Sequence, residues 1–575
     1  MTVKYRSIWP NVTRSRTFRS VSLGVLVLVI ALLAAACGSD EPSEATVPQA
    51  PAPAPAAQPA PTVAPAPVAQ PAAPQPAATA APAPTAAPPA PTAAPATMAE
   101  QMSSGGWLRI GALGAATDTF NPFFTQSLAE YIGLWAMYDS LAWLVGAEVE
   151  FGLAESVTPN EDGSEWTIVL KEANFHDGSP VRPQDVAYSL STFANPEQAP
   201  FMAQFFANID TANISIPDDR TLVVPLHSPQ GDFLDRSLAT MSLVIPEGSI
   251  GGADAIGSGP FKLAAYESGK SIRLVRNDDY WDGAPPLLDG IEVVVINEAN
   301  ARLNALKGGE IDFAAGVTPA AARAEADNSD IMILPAGVAN STVHSFALNI
   351  TLPPFDDPDV VRAFKLAVDR QALINTALFG FAEIGNDVVG KGLPGYYDSL
   401  PQVERDVEEA RHLLEHAGVT ELTMRTGEVI PGTMAAAELL VQQLAEVGVT
   451  LTLEETQADQ YYSDFMALMS TPLQSAYWTN RPAASHAAMM TGSMGGFNLT
   501  GIANEEYDGL LAAMIAEVDT DRRFELGNDV QKYLYENDGM IVWAFQEDLN
   551  AAVPGLTGVI YSQSAPRFHL ASLEQ

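Results

Sequence analysis

The sequence has little cysteine and little positive charge. Cys37 is the single cysteine among 575 residues, and 29 Lys and Arg residues stand against 69 Asp and Glu. One cysteine excludes an intramolecular disulfide, so a folded domain must be held by its hydrophobic core alone. The formal net charge of -40 repels phosphate groups and anionic lipid headgroups. This charge argues against nucleic-acid binding and against electrostatic docking on a membrane.

Long apolar runs are also scarce. The run at residues 21–33 is shorter than the ~20 residues that a membrane-spanning helix needs. Basic residues without any acid precede it, and small residues and Cys37 follow it. This order predicts a secretory signal peptide over residues 1–37. Cys37 lies where a bacterial lipoprotein signal is cut, although Ala34 occupies the position where Leu is common. Lipidation of Cys37 is therefore favoured over a plain signal cut at Ala-x-Ala.

Residues 41–97 lack aromatic side chains and have almost no charge. Pro, Ala, Thr, Gln and Val make up nearly all of this segment. Such a composition cannot bury enough apolar surface to order itself, and dense proline favours an extended polyproline II chain. We predict a disordered linker over residues 38–104 that holds the folded part away from a membrane. The alternative is a tolerated low-complexity insertion without a selected length.

The sequence also lacks the short motifs of common hydrolases. No Gly-x-Ser-x-Gly, no His-Glu-x-x-His and no cluster of metal ligands occurs. The segment Gly269-Lys270-Ser271 ends like a phosphate-binding loop, but Ala264 stands where that motif requires glycine. It joins two alternating segments, 260–267 and 271–277, which together predict a β-hairpin. His176 beside Asp177 lies at a turn without a nucleophile, which favours a structural role.

Local patterns predict further elements. We expect a strand at 107–111, a loop at 117–124, a helix at 128–144, and a strand at 165–170. Pro183 predicts the first turn of a helix. A strand at 345–349, a helix capped by Asp357, and a helix from Asp406 to Gly418 follow. Strand 422–425, helix 434–447 and strand 450–454 predict a parallel α/β layer.

Three ordered blocks resemble one protein family. The first is Phe-His-Asp-Gly at 175–178 followed by Asp-Val-Ala-Tyr-Ser. The second, at 256–313, contains Gly-Ser-Gly-Pro-Phe, Asn-Asp-Asp-Tyr-Trp-Asp-Gly, Leu-Asp-Gly-Ile and Gly-Gly-Glu-Ile-Asp. The third, at 349–370, contains Pro-Phe-Asp-Asp and Ala-Val-Asp-Arg. The chain thus resembles the family 5 extracellular solute-binding proteins of peptide- and nickel-type ABC importers.

The resemblance implies an α/β fold of the two-lobed, type II periplasmic-binding-protein kind, with mixed sheets and a hinge. Lobe 1 is expected at 105–344, with segment 540–575 returning to it, and lobe 2 at 345–539. The implied function is a monomeric, lipid-anchored receptor on the outer face of the cell membrane. It captures a peptide or another small solute, without a cofactor or catalysis, and delivers it to an ABC permease. A sensory receptor of the same fold, or an extracellular hydrolase with two carboxylates, are the alternatives.

The resemblance also implies a ligand site. Peptide-binding members carry Trp-x-x-Asp where this chain reads Trp478-Thr479-Asn480-Arg481, and their aspartate pairs with the α-ammonium group of the peptide. Arg481 reverses that charge and suits a carboxylate, phosphate or sulfonate; alternatively, it pairs with an acid of the protein. Trp478 is a candidate stacking wall or a core residue. Thr479 and Asn480 of the same segment are further ligand-binding candidates. So are Asn498, in a loop that the family places beside the cleft, and Phe120 and Asn121 in the early loop.

Overall fold

The structure is a computed structural model that describes residues 105–574, except 126, 284 and 464. The predicted signal peptide, Cys37 and the linker lie outside the described residues.

The strands and helices alternate through most of this part of the chain. The strands are β1 (Trp107–Ala112), β2 (Ala142–Val145), β3 (Glu148–Phe151), β4 (Ala154–Pro159), β5 (Glu165–Leu170), β6 (Thr221–Pro225), β7 (Phe261–Glu267), β8 (Ser271–Arg276), β9 (Gly290–Val295), β10 (Phe313–Ala314), β11 (Met332–Pro335), β12 (Ser341–Leu348), β13 (Ala382–Ile384), β14 (Glu421–Thr426), β15 (Thr450–Glu455), β16 (Leu473–Thr479), β17 (Met540–Glu547), β18 (Leu549–Ala552), β19 (Leu556–Thr557), β20 (Ile560–Ser562), β21 (Ala565–Arg567) and β22 (Ser572–Leu573). The helices are α1 (Leu128–Met137), α2 (Pro183–Phe193), α3 (Ala203–Phe206), a π-helical turn (Leu234–Leu238), α4 (Ala239–Met241), α5 (Ala299–Lys307), α6 (Pro319–Glu325), α7 (Pro358–Ala367), α8 (Arg370–Ala377), α9 (Val407–Ala417), α10 (Thr433–Glu446), α11 (Ala458–Tyr461), α12 (Phe465–Met469), α13 (Ala483–Met490), α14 (Glu505–Ala516) and α15 (Thr520–Asn537).

A mixed sheet forms the centre of the first lobe. Its strand order is β11-β18-β10-β1-β9-β8-β7. β1 pairs in parallel with β9 and β10, whereas β7 and β8 form the predicted antiparallel hairpin. At its turn, Gly269 has a φ of +65°, and a Cβ there would lie 2.8 Å from the Ala116 Cα. A smaller antiparallel sheet, β4-β5-β6, also belongs to this lobe.

A second mixed sheet forms the other lobe, in the order β13-β17-β12-β16-β14-β15. β14 and β15 are parallel and flank α10 in the chain, which confirms the predicted α/β layer. An apolar cluster that includes Phe364, Leu444 and Trp543 belongs to this lobe alone. The mixed sheets and separate lobes confirm the predicted fold class.

The chain crosses between the two sheets at different residues from those predicted. β11 belongs to the first sheet and β12 to the second, so one crossover lies at 336–340. β17 belongs to the second sheet and β18 to the first, so another crossover lies at Asp548. The predicted boundaries at 344/345 and 539/540 therefore fall inside or just before a strand of the second lobe. Because β12 and β17 are buried along most of their length, they show little alternation that would mark their first residues.

The helix predicted at 128–144 is wrong in its second half. α1 ends at Met137, Tyr138 adopts an extended backbone, and β2 begins at Ala142. Most residues of this segment are buried, including the polar Asp139 and Ser140, and apolar side chains resume at Leu141. Apolar residues on every side give no period that separates a buried helix from a buried strand.

The carboxyl end of α1 packs against two glycines of the second sequence block. A Cβ at Gly257 would lie 2.0 Å from the Met137 carbonyl oxygen, and one at Gly259 would lie 2.6 Å from the Met137 carbonyl carbon. The Gly259 amide donates to that same carbonyl oxygen at 2.8 Å. His176 of the first block contacts the same segment, because its Nε2 lies 3.0 Å from the Gly259 oxygen. This contact supports the structural role predicted for His176.

The buried carboxylate of Asp139, two residues after α1, joins the end of the helix to another part of the second sequence block. It accepts hydrogen bonds from Tyr280 Oη at 3.0 Å and from Trp281 Nε1 at 2.7 Å. Tyr280 and Trp281 are the aromatic pair of the Asn-Asp-Asp-Tyr-Trp-Asp-Gly segment. Burial raises the pKa of Asp139 to about 6, although these hydrogen bonds and Arg567 oppose that shift. Asp139 therefore anchors the loop after β8 to the end of α1.

Replacing Gly257 with alanine should destabilise the first lobe. The added methyl group has to displace the backbone of α1, so we expect a loss of about 3 kcal/mol in the free energy of unfolding. Gly509→Ala is the control, because a Cβ there contacts nothing within 4 Å and alanine favours an exposed helix. Denaturant unfolding checks both variants; equal midpoints for Gly257→Ala and the unchanged protein would contradict this packing.

Asp139 should make stability depend on pH in a defined direction. Its folded pKa of about 6 exceeds the ordinary value of 3.8, so the folded state holds the proton more tightly. The contribution of Asp139 to stability is therefore greatest below pH 3.8 and is lost as the pH rises through 6. We expect the unfolding free energy of the Asp139→Asn protein, measured by urea titration, to change less with pH between pH 4 and 7 than that of the unchanged protein. Parallel pH profiles for the two proteins would refute the shift.

Candidate functional site

A cavity lies between the two lobes at the end of β16. Its volume is about 420 Å³. Trp478 and Thr479 are the last residues of β16, and Arg481 precedes α13. Pairing of β16 with β12 fixes this end of the strand, since Thr479 stands opposite Thr342. The lining side chains are Gln204 of the first lobe and Tyr462, Phe465, Tyr477, Trp478, Thr479, Arg481, Met489, Met490 and Phe497 of the second.

Aromatic rings form most of the cavity wall. Tyr462 and Tyr477 meet edge to face with centroids 5.5 Å apart, and Phe465 meets Phe497 in the same way at 4.9 Å. Trp478 is largely buried and packs edge to face on His486 at 6.3 Å. Such interlocked rings hold one another in place. The wall therefore presents a preformed apolar surface to a solute.

Arg481 is the charged side chain of the lining that the structure describes. It is half-buried, and among the described residues no salt bridge or hydrogen bond neutralises it. Burial lowers its pKa to about 10, while Tyr131 of α1 opposes that shift. The pKa of the adjacent His486 falls to about 3 through burial and the Arg481 charge. At neutral pH, Arg481 is therefore charged and His486 is neutral.

Tyr131 is a residue of the first lobe that the charge of Arg481 affects. It lies in α1, where its ring meets Trp135 at 5.7 Å, and Trp135 in turn meets Trp143 at 5.5 Å. Burial raises the pKa of Tyr131, whereas the Arg481 charge lowers it. The two side chains thus interact electrostatically across the lobes.

Asn480 was predicted to contact a ligand, but its side chain bonds to the backbone. Its Nδ2 donates to the carbonyl oxygens of Val338 at 3.0 Å and Lys391 at 2.9 Å. Its Oδ1 accepts from the Gly390 amide at 3.0 Å. Asn480 therefore ties the end of β16 to the crossover at 336–340 and does not line the cavity.

Asn498 likewise organises its own loop. Its Nδ2 donates to the carbonyl oxygens of Gly492 and Ile502, at 3.1 and 2.9 Å, and its Oδ1 accepts from the Gly501 amide at 2.9 Å. The neighbouring Phe497 is the residue that reaches the cavity. Asn498 thus positions a lining residue instead of lining the cavity itself.

Phe120 and Asn121 lie in the early loop, away from the lining. Phe120 is fully buried and stacks on Tyr266 with centroids 5.2 Å apart. The side chain of Asn121 accepts a hydrogen bond from the Phe123 amide at 2.9 Å. Both residues shape the loop before α1. Of the residues predicted to bind the ligand, the structure brings Trp478, Thr479 and Arg481 together.

Sequence reasoning missed most of the wall. Gln204, Tyr462, Phe465 and Phe497 come from three separate segments, and no spacing in the sequence joins them. The aromatic density around 461–465 is the one signal that could have drawn attention to that segment.

A larger cavity, of about 450 Å³, lies on the second lobe between α7 and α15. Its lining includes Phe355, Arg362, Lys365 and Tyr535, all from that lobe. Its walls come from one lobe, whereas the cavity beside Arg481 takes its walls from both.

The part of the chain that the structure describes contains no helix long and apolar enough to cross a membrane. Within the same residues, no group of three or more His, Cys, Asp or Glu side chains could hold a metal ion.

Comparison with known proteins agrees with this architecture. The glutathione-binding protein GsiB of Salmonella typhimurium is 24% identical over 479 residues, which cover 78% of this chain and 90% of GsiB. The dipeptide-binding protein DppE of Bacillus subtilis is 24% identical and covers 72% of this chain and 82% of its own. The periplasmic binding protein DppA of Helicobacter pylori, solved with the peptide STSA, has a TM-score of 0.67 and 20% identity and covers 83% of this chain and 100% of its own.

A family model decides the assignment. Residues 148–498 match the model of the bacterial extracellular solute-binding proteins, family 5. This match contains all three blocks and the Trp478–Arg481 segment, and so confirms the resemblance on which the sequence analysis relied. The chain belongs to family 5 of the bacterial extracellular solute-binding proteins.

Proposed function

We propose that this protein captures a small solute between its two lobes and delivers it to an ABC permease. The observation that carries the proposal is the cavity itself, because Gln204 of the first lobe and Arg481 of the second both line it. A site shared by two lobes couples binding to closure, since each lobe gains contacts only when the other approaches. The proposed partner, the permease of an ABC importer, follows from membership of the family.

The crossovers suit a hinge. Two short segments, 336–340 and Asp548, connect the central sheets. Asn340 braces the first crossover by donating to the Ala336 oxygen at 3.1 Å and by accepting from the Ser564 amide at 3.1 Å. Few backbone bonds then have to change when the lobes rotate.

We infer binding without catalysis. The described lining offers five aromatic rings, two of which are phenols, two methionines, one amide, one aliphatic hydroxyl and one guanidinium. No carboxylate pair and no base beside the Thr479 hydroxyl occurs among these residues. Acid–base or nucleophilic catalysis needs such a pair. The solute should therefore leave the site unchanged.

We further propose that Cys37 is lipidated and that residues 38–104 tether a monomeric receptor to the outer face of the cell membrane. The basic residues, apolar run and small residues before Cys37 support this anchor. The relatives named above bind glutathione, a dipeptide and the peptide STSA respectively. This range supports a peptide or another small solute here.

Native mass spectrometry of the secreted chain, with Cys37→Ser to avoid lipidation, tests the function. We expect one solute molecule per protein after purification, released without chemical change when the protein is denatured. Incubation of the released solute with fresh protein should restore the complex. A protein that retains nothing and rebinds nothing, or one that converts the solute, would rule out a capture receptor.

Replacing Trp478 with alanine should weaken solute binding. Removal of a buried ring from the wall costs about 2 kcal/mol, or about 30-fold in affinity, measured by calorimetry with the recovered solute. Trp107→Ala is the matched control, because Trp107 lies outside the lining and stacks under Arg273 at 4.0 Å. Equal affinities for both variants, with unchanged circular dichroism, would remove Trp478 from the site.

A further inference from the structure

The charge pattern of the cavity differs from that of the whole chain. Acidic residues outnumber basic ones by 69 to 29, yet the described lining has no acidic side chain and one basic one, Arg481. A cavity that carried the average charge of this surface would be negative. The site is therefore set apart electrostatically from its surroundings.

Within the described part of the chain, no acidic side chain pairs with the partly buried guanidinium of Arg481. A charge withdrawn from water is costly unless an opposite charge or several acceptors replace the water. Tyr131 of the other lobe favours the charged form only as a phenolate. Because burial raises the pKa of Tyr131, its side chain is a neutral phenol at neutral pH and supplies no opposite charge. A planar guanidinium pairs best with a carboxylate, sulfonate or phosphate through two parallel hydrogen bonds.

The rest of the lining is mainly apolar and suits an apolar part of a solute. Tyr462, Phe465, Tyr477, Trp478 and Phe497 present rings, and Met489 and Met490 add two thioethers. Rings and thioethers favour apolar groups and adapt to their shapes. The volume of about 420 Å³ lies within the range of small-molecule sites.

Resting on the proposed function, we propose that the cavity selects an amphiphilic anion. Such a solute carries a carboxylate, sulfonate or phosphate on an apolar body and has no free ammonium group beside that anion. The acid pairs with Arg481, and the apolar body lies among the five rings. An ammonium group at the same place meets a like charge, and the described lining has no carboxylate to accept it. Arg481 is thus the residue that discriminates between classes of solute.

The same geometry links the anion to closure. Arg481 belongs to the second lobe, and Gln204, which lines the same cavity, belongs to the first. An anion seated on Arg481 therefore lies between side chains of both lobes. Binding of the anion gains most when the lobes are closed.

A matched set of probes tests the proposal on the secreted Cys37→Ser chain. The set comprises N-acetylphenylalanine, its neutral amide N-acetylphenylalaninamide and the cation phenylalaninamide, together with the same three forms built on leucine and tryptophan. We expect the carboxylates to raise the melting temperature and to bind at least about tenfold more tightly than the amides. The cations should give no shift. No shift from any carboxylate, or equal shifts from the amides or cations, overturns the inference.

Two variants separate the role of Arg481 from its effect on folding. Arg481→Gln should lower carboxylate affinity about 10- to 100-fold and remove the preference over the amides. Arg481→Lys should keep the preference with weaker binding, because one ammonium replaces the planar fork. Arg323→Gln, an exposed change of the same charge, should leave the preference intact. A preference that persists in Arg481→Gln overturns the inference.

The retained solute distinguishes the two proposals. Native mass spectrometry that identifies a solute without an acidic group overturns the anion inference and leaves capture between the lobes intact. A chain that retains no solute and binds none of the probes overturns both.

Discussion

The carboxyl end of α1 is the contact that joins the sequence blocks of the first lobe. α1 packs so closely on Gly257 and Gly259 that neither position has room for a side chain. The same helix carries Tyr131, whose pKa the Arg481 charge lowers. Asp139, just after the helix, anchors Tyr280 and Trp281. Sequence blocks outside the cavity lining therefore hold in place a helix of the first lobe that lies within the field of Arg481.

Much of the fold could be predicted from the sequence, because particular residues restrict the backbone in ways that can be recognised without a structure. A turn at Gly269, a proline in the first turn of α2 and acidic caps before α7 and α9 each restrict the backbone locally, and the structure has all of them. The ends of α1 and β12 could not be predicted. Both are buried along most of their length, and the polar Asp139 and Ser140 after α1 are buried like the apolar residues on either side, so the pattern does not show where one element ends and the next begins.

The site was only partly predictable for a different reason. Trp478, Thr479 and Arg481 are adjacent in the chain, and a single pattern identified them. Gln204 and Phe497 reach the cavity from distant segments, and only the fold brings them there. Asn480 shows a further limit, since its amide has the same chemistry whether it binds a ligand or the backbone. Its three hydrogen bonds to the backbone decide between these roles, and the sequence contains no sign of them.

The two lobes are also connected at the crossover that contains Asn340, whose side-chain amide bonds to Ala336 within the crossover and to Ser564 of the first lobe. Asn340 lies in the crossover at 336–340 and accepts from Ser564, which follows the return of the chain to the first lobe. Asn480 binds the carbonyl oxygen of Val338 in the same crossover, and it lies one residue before Arg481. The crossover and Arg481 are therefore separated by a single hydrogen bond and one peptide unit. On the proposed function, a force that a solute exerts on the guanidinium is transmitted to the hinge through this short connection, without passing through the body of either lobe.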